Sequence, residues 1–388
     1  MRLAVLALAA AAWLHPAPAS ARDEACEWKG IARVVAIGDV HGAYPEFLEV
    51  LRIAGLVDGK ERWTGGATHF VQTGDILDRG AQTRPVMDLL MRLEGEAKKA
   101  GGRVHVLLGN HEAMNILGDL RYVSREEYKA FETPRSAATR QAFYESRRDA
   151  ARQAAKDAKQ PWDEAAYKAK FEADVPLGFV ERAQALSADG PYGRWLRDRR
   201  PVMKIDDAVF LHGGLTPETG AMGCEAINAQ VRREITKDVD ATRQAPLQSL
   251  VAAESGPLWF RGMAREDETA YEPSVEKALA GMGARRAVIG HTVTGDGRIR
   301  IRFGGRVVMI DVGMNPVYGR NLAALEIGAG GVLTALYAER REELLRPAAA
   351  ARAPAEPPGG RTSVPARVPA SVSTGVSTGV SAGVPAAR

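Results

Sequence analysis

The chain has 388 residues and a formal net charge of +4, with charged and apolar fractions typical of a soluble globular protein. Arg2 contributes one positive charge, and the segment from Arg346 to Arg388, with five arginines and Glu356, contributes a net four. The residues between them therefore have no basic excess, which excludes a protein that binds nucleic acid through a basic face.

Residues 1–21 have the features of a secretory signal peptide. Arg2 is followed by an apolar run over residues 3–14 and then by prolines, and residues 19–21 (ASA) fit the small-x-small cleavage rule. We expect the mature protein to begin near Arg22 and to be exported, either to the periplasm or out of the cell. The alternative is an uncleaved anchor, although the run is short for a bilayer span and no later segment reaches transmembrane length.

The two cysteines of the chain, Cys26 and Cys224, are compatible with a disulfide in an oxidising compartment. Two unpaired thiols are the alternative, because the sequence does not establish the distance between them. Neither cysteine has a second cysteine or a histidine nearby in a ligand-type spacing, so neither is predicted to bind a metal.

From Arg33 onward, short β-branched runs alternate with glycine-bearing turns that contain polar residues. In chain order the run–turn pairs are RVVAI–GDVHG, THFVQT–GDILDRG, RVHVLL–GNHE, AVFL–HGG and RAVI–GH. The stretches PEFLEVLRIAGL and TRPVMDLLMRLEGEAKKA have apolar residues at three- and four-residue spacing, which predicts helices between the first three strands. This alternation predicts a layered α/β fold, in which loops at one end of the strands gather ligands and catalytic groups.

The pattern changes between residues 119 and 200, where strand character is absent. Ser124 followed by Glu127 has the spacing of a capping box, which predicts the start of a helix. Residues 135–160 are rich in Ala, Arg, Lys and Gln. We interpret residues 119–200 as a helical insertion that either caps a site or serves as scaffold.

The last strand-like runs are residues 307–310 and LAALEI, and the composition changes after them. Residues 346–388 are rich in Pro, Ala, Ser, Gly and Val, and STGVSTGVSAGV repeats every four residues. Such a segment buries too little apolar surface to offset its ordering entropy. It is therefore predicted to be a disordered tail, acting either as a tether or as an inert extension.

Every predicted strand end carries an aspartate, an asparagine or a histidine. Four of the seven histidines lie in these turns, whereas His69 and His105 lie inside predicted strands and are expected to be structural. Oxygen and nitrogen ligands without thiolate suit manganese, iron or zinc. Any single motif is weak evidence, since one such turn is usually a solvated loop or a helix N-cap; the strand-end pattern as a whole predicts a metal site.

In this order, the five turn motifs resemble those of the calcineurin-type metallophosphoesterases. The DRG triplet and the glutamate of GNHE resemble the phosphoprotein phosphatase branch, and GNHEAMNILGDLRYV and GPLWFRG are similar to the Shewanella-like protein phosphatases. The resemblance spans residues 34–325. It implies a central β-sandwich flanked by helices, a catalytic domain over residues 28–345 and a dinuclear metal site at the strand ends.

The resemblance also implies a ligand set for two divalent cations, with manganese expected and iron or zinc as alternatives. One ion would be bound by two residues of the first turn and by a carboxylate that bridges to the second ion. The implied ligands of the first ion are Asp39, His41 and the bridging Asp75. Those of the second ion are Asp75 together with Asn110, His212 and His291.

Further residues are implied to contact the substrate. Arg79 would hold the phosphate, and Arg261 matches a second phosphate-binding arginine. His111 would lie beside the leaving oxygen, oriented by Asp78. Arg121 is a candidate for a phosphate contact, with a salt bridge that anchors the insertion as the alternative.

The predicted function is the hydrolysis of phosphate monoesters on phosphorylated proteins or peptides, at Ser/Thr or Tyr. Two cations would neutralise the phosphate and activate a water, and His111 would act as general acid. One alternative is a phosphatase for small phosphorylated metabolites or nucleotides. Another is a non-catalytic binding protein, which would be expected to have lost a ligand. GHTVTG has no second histidine after GH, which argues against phosphodiesters.

Overall fold

The computed structural model of the protein describes residues 25–346. The predicted signal peptide and all but the first residue of the predicted tail lie outside this range. The strands are β1 (Glu27–Trp28), β2 (Val34–Ile37), β3 (His69–Gln72), β4 (Arg103–Val106), β5 (Val202–Ile205), β6 (Ala208–Leu211), β7 (Arg286–Ile289), β8 (Arg300–Arg302), β9 (Val307–Met309), β10 (Ala323–Ile327), β11 (Leu333–Tyr337) and β12 (Arg341–Leu345).

Eleven α-helices accompany these strands in the described residues. They are α1 (Tyr44–Ile53), α2 (Thr83–Lys99), α3 (Asn110–Leu117), α4 (Ser136–Asp157), α5 (Glu164–Asp174), α6 (Phe179–Leu186), α7 (Pro191–Arg197), α8 (Pro217–Thr236), α9 (Val239–Gln244), α10 (Gly262–Arg265) and α11 (Glu268–Gly281). None of the helices in this part of the chain combines the length and apolar character that a membrane crossing requires.

The strands form two six-stranded sheets, ordered β12-β11-β10-β2-β3-β4 and β1-β5-β6-β7-β9-β8. In the first sheet β2, β3 and β4 are mutually parallel, and in the second β6, β7 and β9 are parallel. Each sheet therefore contributes three parallel strands. The carboxyl ends of five of them, all except β9, lead into the polar turns identified in the sequence.

The two sheets pack face to face, and helices cover their outer faces. Along β2, Val34 and Ala36 lie in the core between the sheets, whereas Val35 and Ile37 pack towards α1 and α2, as the two-residue period of a strand requires. The outer face of the other sheet packs against α8 and α11. The predicted α/β fold, a central β-sandwich flanked by helices, is confirmed.

Most of the predicted elements agree closely with the observed ones. AVFL and RAVI coincide with β6 and β7, and the other strands differ by one or two residues at their ends. The first predicted helix ends earlier than expected, at Ile53. Gly55 there has a φ of 65°, and the backbone N–H of Leu56 donates to the carbonyl of Leu51 at 2.9 Å, which closes the helix.

The insertion over residues 119–200 contains α4 to α7 and a 3₁₀ helix (Glu127–Phe131), with no strand. The predicted capping box is only half formed. The backbone N–H of Glu127 donates to Oγ of Ser124 at 3.3 Å, but the Glu127 carboxylate is paired with Arg182 instead of returning to Ser124. A buried guanidinium is a stronger partner for a carboxylate than a backbone N–H, which accounts for the difference.

A disulfide joins Cys26 to Cys224, with a Cα–Cα distance of 6.3 Å. It settles the choice that the sequence left open between a pair and two free thiols. Both residues are buried, and Nδ2 of Asn228 lies 3.0 Å from Sγ of Cys26. The bond ties the N-terminal end of the described chain, next to β1, to helix α8 on the outer face of its sheet.

Candidate active site

The candidate site lies where the turns after the parallel strands of both sheets meet. The turns after β2, β3 and β4 come from one sheet, and those after β6 and β7 come from the other. The structure brings all the sequence-predicted metal ligands together there, and all are buried: Asp39, His41, Asp75, Asn110, His212 and His291.

Asp75 occupies the centre of this cluster. Its Oδ2 is 3.6 Å from Nε2 of His41, and its Oδ1 is 3.2 Å from Nε2 of His212. Asp39 lies near the same two histidines. Its Oδ2 is 3.9 Å from Nε2 of His41, and its Oδ1 is 3.9 Å from Nδ1 of His212. The carboxylate of Asp75 thus takes part in two groups of possible ligands, one with His41 and His111 and one with His212 and His291, as expected of a bridging residue.

Backbone carbonyls orient two of the histidines. Nδ1 of His41 lies 2.9 Å from the carbonyl of Leu77, and Nδ1 of His212 lies 3.0 Å from that of Thr73. A carbonyl only accepts, so each Nδ1 carries the proton and each Nε2 presents a lone pair. In the case of His212, that lone pair faces Oδ1 of Asn110 at 2.8 Å. Acceptor atoms that converge in this way are satisfied by a cation between them.

The protonation states also suit divalent cations. Burial lowers the pKa of His41 to about 4 and that of His291 to about 2, so both rings are neutral ligands at pH 7. Burial, together with the charges of Asp311 and Asp75, raises the pKa of Asp39 well above its usual value. Nε2 of His291 is buried without a hydrogen-bond partner among the described residues. The donor set therefore fits two divalent cations.

Close approaches of the backbone explain why glycines flank these turns. A Cβ on Gly109 would lie 2.3 Å from Oδ1 of Asp75, and a Cβ on Gly290 would lie 2.4 Å from Oδ1 of Asp39. Only glycine allows the chain to pass these carboxylates so closely.

Several non-glycine residues of the site have a strained backbone. Five of the ten non-glycine residues with positive φ in the described chain belong to it: His41, Asp75, Asp78, Arg79 and His291. Such conformations cost on the order of 1–3 kcal/mol each and persist where the surrounding structure determines them.

His111 and Asp78 form a buried dyad beside the ligand cluster. Nδ1 of His111 lies 2.6 Å from Oδ2 of Asp78, and its Nε2 faces Oδ2 of Asp75 at 3.8 Å. Burial lowers the pKa of His111, but the charges of Asp75 and Asp78 outweigh it, so the pKa lies above its usual value. The ring is thus oriented by Asp78, the residue that the sequence predicted for this contact.

Arg79 lies between two tyrosine rings. Its Cζ is 4.5 Å from the ring centroid of Tyr122 and 5.3 Å from that of Tyr318. The ring of Tyr122 also lies 5.2 Å from that of His111. Neither tyrosine was predicted from the sequence, since nothing local distinguishes them from other surface tyrosines.

The other two predicted arginines differ in their placement. Arg261 is half-buried and donates through Nη1 to the carbonyl of His291 at 2.7 Å and to Oγ1 of Thr292 at 2.9 Å. It therefore supports the turn that carries a ligand. Arg121 is exposed and forms an ion pair with Asp119 at 2.5 Å, two residues away within the insertion, so this pair does not anchor the insertion to the rest of the fold. Its phosphate contact stays a prediction.

Two buried residues of the site had no role predicted from the sequence, although one of them is the glutamate of GNHE. The carboxylate of Glu112 accepts the backbone N–H groups of Asp75, Ile76, Leu77 and Gly109 at 2.8 to 3.1 Å, which fixes the turn of the bridging ligand. Asp311 follows β9, the sixth parallel strand, and burial raises its pKa to about 6. In the stretch IDVGM an aspartate directly follows a β-branched run and precedes a glycine, so the same kind of strand-end signal was available in the sequence.

Comparison with known proteins agrees with this geometry. The model of the family described as calcineurin-like phosphoesterase matches residues 32–293. The chain belongs to the calcineurin-like phosphoesterases. This phosphoesterase is 35% identical over 290 residues to Shewanella-like protein phosphatase 2 of Arabidopsis thaliana, covering 73% of this chain and 71% of the relative. It is 26% identical over 294 residues to Shewanella-like protein phosphatase 1 of Plasmodium berghei, covering 74% of this chain and 68% of the relative.

A solved structure is also similar to this phosphoesterase. The crystal structure of the cold-active protein-tyrosine phosphatase of a psychrophilic Shewanella species has a TM-score of 0.63 and 27% identity, covering 84% of both chains. The family and the resemblance to Shewanella-like phosphatases predicted from the motifs are confirmed. The protein is therefore a metal-dependent phosphoester hydrolase.

Proposed function

We propose that this phosphoesterase is an exported, manganese-dependent phosphatase that removes phosphate from proteins, with phosphotyrosine as the preferred group. The observation that carries the proposal is the His111–Asp78 dyad beside the ligand cluster, at 2.6 Å between Nδ1 and Oδ2. A proton donor held at this point suits a phosphate monoester, whose leaving oxygen needs a proton as it departs.

Several residues of the chain have separate roles in the proposed reaction. The six predicted ligands would hold two cations, which would supply charge neutralisation and an activated water when bound. Arg79 and Arg261 would hold the phosphate oxygens through charge-assisted hydrogen bonds. His111 would donate its proton from Nε2 to the leaving oxygen, while Asp78 keeps the ring oriented and stabilises its charged form.

The aromatic rings at Arg79 support an aryl phosphate. Tyr122 is 38% exposed, and with Tyr318 it places ring surface next to the phosphate-binding guanidinium. A phenyl ring entering with its phosphate would contact these rings, at a gain of about 0.5–1.5 kcal/mol per aromatic pair. The similar Shewanella enzyme is named a protein-tyrosine phosphatase, which supports the same choice.

Substrate profiling on purified protein of measured metal content tests this proposal. We expect two divalent ions per chain and a higher kcat/KM for phosphotyrosine peptides than for matched phosphoserine peptides. Free nucleotides and sugar phosphates should be turned over less efficiently than either. A higher kcat/KM for a small phosphorylated metabolite would favour the alternative function instead.

The disulfide between Cys26 and Cys224 supports export, since such bonds persist mainly in oxidising compartments. The predicted signal peptide supports the same localisation. Mass spectrometry of the protein from the periplasm or culture medium should find a mature chain that begins near Arg22. Recovery of the chain with Met1 intact would contradict cleavage.

A further inference from the structure

We propose that Asn115, Arg182 and Glu127 are positioning residues for the general acid, and that through them the helical insertion controls the proton donor. This inference rests on the proposed function, since it assumes that His111 protonates a leaving group. None of the three residues was assigned a catalytic role from the sequence motifs.

A chain of hydrogen bonds leads away from the dyad. Oδ1 of Asp78, the oxygen that does not face His111, accepts from Nδ2 of Asn115 at 2.9 Å. Oδ1 of Asn115 in turn accepts from Nη2 of Arg182 at 2.8 Å. Nε of Arg182 donates to Oε1 of Glu127 at 2.6 Å. Both oxygens of Asp78 are thereby engaged, one by the histidine and one by this chain.

The direction of these bonds is determined by chemistry. A guanidinium has donors only, so Arg182 requires the carbonyl oxygen of the Asn115 amide to face it. The NH₂ group of Asn115 must then face the opposite way, towards Asp78. Asn115 lies four residues after His111 on α3, and its Nδ2 also donates to the carbonyl of His111 at 2.9 Å. The amide therefore holds both members of the dyad.

The burial of the ion pair argues against a purely stabilising role. The side chain of Glu127 is 0% exposed and that of Arg182 is 3% exposed. Removing two charges from water costs several kcal/mol per ion, so a buried pair is often no more stable than an apolar replacement. A pair that fixes the orientation of a catalytic amide has a reason to be kept at this position.

Both charged residues come from the insertion. Glu127 is the first residue of its 3₁₀ helix and Arg182 lies on α6, whereas Asn115 belongs to α3 of the central fold. A second contact acts on the same turn, because the backbone N–H of Arg79 donates to the carbonyl of Tyr122 at 2.9 Å. The insertion thus holds the Asp78–Arg79 turn from two sides, and both residues there have positive φ.

The test compares aryl phosphates that differ in leaving-group pKa, assayed with Arg182→Met, Asn115→Ala and the nearly isosteric Asn115→Asp. In each of these three variants we expect kcat for phenyl phosphate to fall about 10-fold or more. General acid catalysis is typically worth about 10²–10⁴-fold, and a misoriented acid loses part of that gain. The kcat for nitrophenyl phosphate should change much less, and KM and metal content should stay the same. Glu127→Gln keeps an acceptor for Arg182 and should retain the wild-type leaving-group dependence.

Arg199→Met provides a matched control. Arg199 is also a buried arginine of the insertion, paired with Glu94 of α2 at 2.5 Å. Its loss should destabilise the fold while leaving the leaving-group dependence unchanged. In a His111→Asn background, Arg182→Met should add no further leaving-group effect, since coupled residues are non-additive.

The outcomes separate this inference from the proposed function. If the wild type hydrolyses no phosphate monoester, the proposed function itself fails. Suppose instead that the wild type is active and that His111→Asn slows the poor leaving groups most. If Arg182→Met and both Asn115 variants then lower kcat equally on all aryl phosphates, or do not lower it, the positioning role alone is overturned. Should Arg182→Met fail to fold, the two Asn115 variants decide the question.

Discussion

At Glu112 a single carboxylate accepts four backbone N–H groups around the bridging ligand Asp75. Each of these donors is buried, so their satisfaction depends on one side chain. Removing a partner from a buried donor exposes its full desolvation penalty. The conformation of the Asp75 turn, including its φ of 56°, is therefore tied to a residue that is predicted neither as a metal ligand nor as a phosphate contact.

Glu112→Gln should consequently lower both stability and metal affinity. The NH₂ group of glutamine would face two backbone donors, which is expected to cost about 1–3 kcal/mol in the free energy of unfolding. Metal affinity should fall about 10–100-fold, the usual effect of losing an outer-shell partner. Denaturant titration and isothermal metal titration measure the two effects.

Glu234→Gln is the control for this prediction. Glu234 is also buried, and it accepts the backbone N–H groups of Leu250 and Val251 at 3.0 and 2.8 Å. Its replacement should destabilise the fold without changing metal affinity. Equal metal affinities for Glu112→Gln and the wild type would contradict the role given to Glu112.

His111→Asn should slow hydrolysis of phosphoserine peptides by about 10²–10⁴-fold, with a much smaller effect on nitrophenyl phosphate. A serine alkoxide needs a proton as it leaves, whereas nitrophenolate needs it little. Because the neighbouring carboxylates raise the pKa of His111, its protonated form is present below that pKa and is lost as the pH rises through it. Activity on phosphoserine should therefore decline on the alkaline side.

The measurement is kcat on both substrates across pH, with metal content determined for each preparation. Equal losses on the two substrates, or a missing metal ion in the variant, would favour a structural or phosphate-orienting role for His111. Asp78→Asn should reproduce the selectivity in weaker form, because the ring then loses the charge that orients it.

Among the elements, β1 is the least supported by the sheet. It has two residues and pairs only with β5, at Glu27–Lys204 and Trp28–Ile205. So short a strand adds little stability through its ladder. The disulfide next to it spans a sequence separation of 198 residues and links it to α8.

The double variant Cys26→Ala/Cys224→Ala should lose about 2–5 kcal/mol in the free energy of unfolding. The cross-link restricts the unfolded chain, so its removal raises the entropy of that state. Metal stoichiometry should not change, because neither cysteine belongs to the site. Guanidinium titrations with and without reductant measure the effect, and reductant should shift the midpoint of the wild type only. Identical midpoints for the variant and the oxidised wild type would contradict this.

At the scale of the whole molecule, the ligand cluster joins the two sheets. Asp39, Asp75 and Asn110 come from one sheet, and His212 and His291 come from the other. A cation held by these residues would connect both halves of the sandwich, and any ligand that binds only the folded state stabilises it by mass action.

Chelation should abolish activity and also lower the midpoint of thermal unfolding, and added Mn²⁺ should restore both. At a free metal concentration of 100 times Kd, binding stabilises the fold by about 2.7 kcal/mol. Asp75→Asn should remove most of this response, since the bridging carboxylate contributes to both ion sites. Calorimetry and activity assays on the same samples are the measurements. Full turnover in preparations with no detectable metal would rule out the dinuclear interpretation.

Much of the fold and of the site followed from local patterns. AVFL and RAVI coincide with β6 and β7 because β-branched runs bounded by glycine turns are a short-range signal. The six residues predicted as ligands lie together because strand ends of parallel sheets meet at one edge, and they could be singled out because carboxylate, amide and imidazole groups are recognisable as ligand types wherever they occur.

The remaining features depend on contacts between residues far apart in the chain. Arg182 binds the carboxylate of Glu127, which therefore does not form the expected capping box. The two residues lie 55 positions apart in the chain. Arg79 is likewise flanked by tyrosines from two distant segments. Tyr122 comes from the insertion, and Tyr318 comes from the connection between β9 and β10. The residues capable of the chemistry could be named from local properties, because strand periodicity, glycine turns and ligand types can all be recognised along the chain. The partners that hold these residues depend on the packing of distant elements, which brings buried charges and hydrogen-bond donors together.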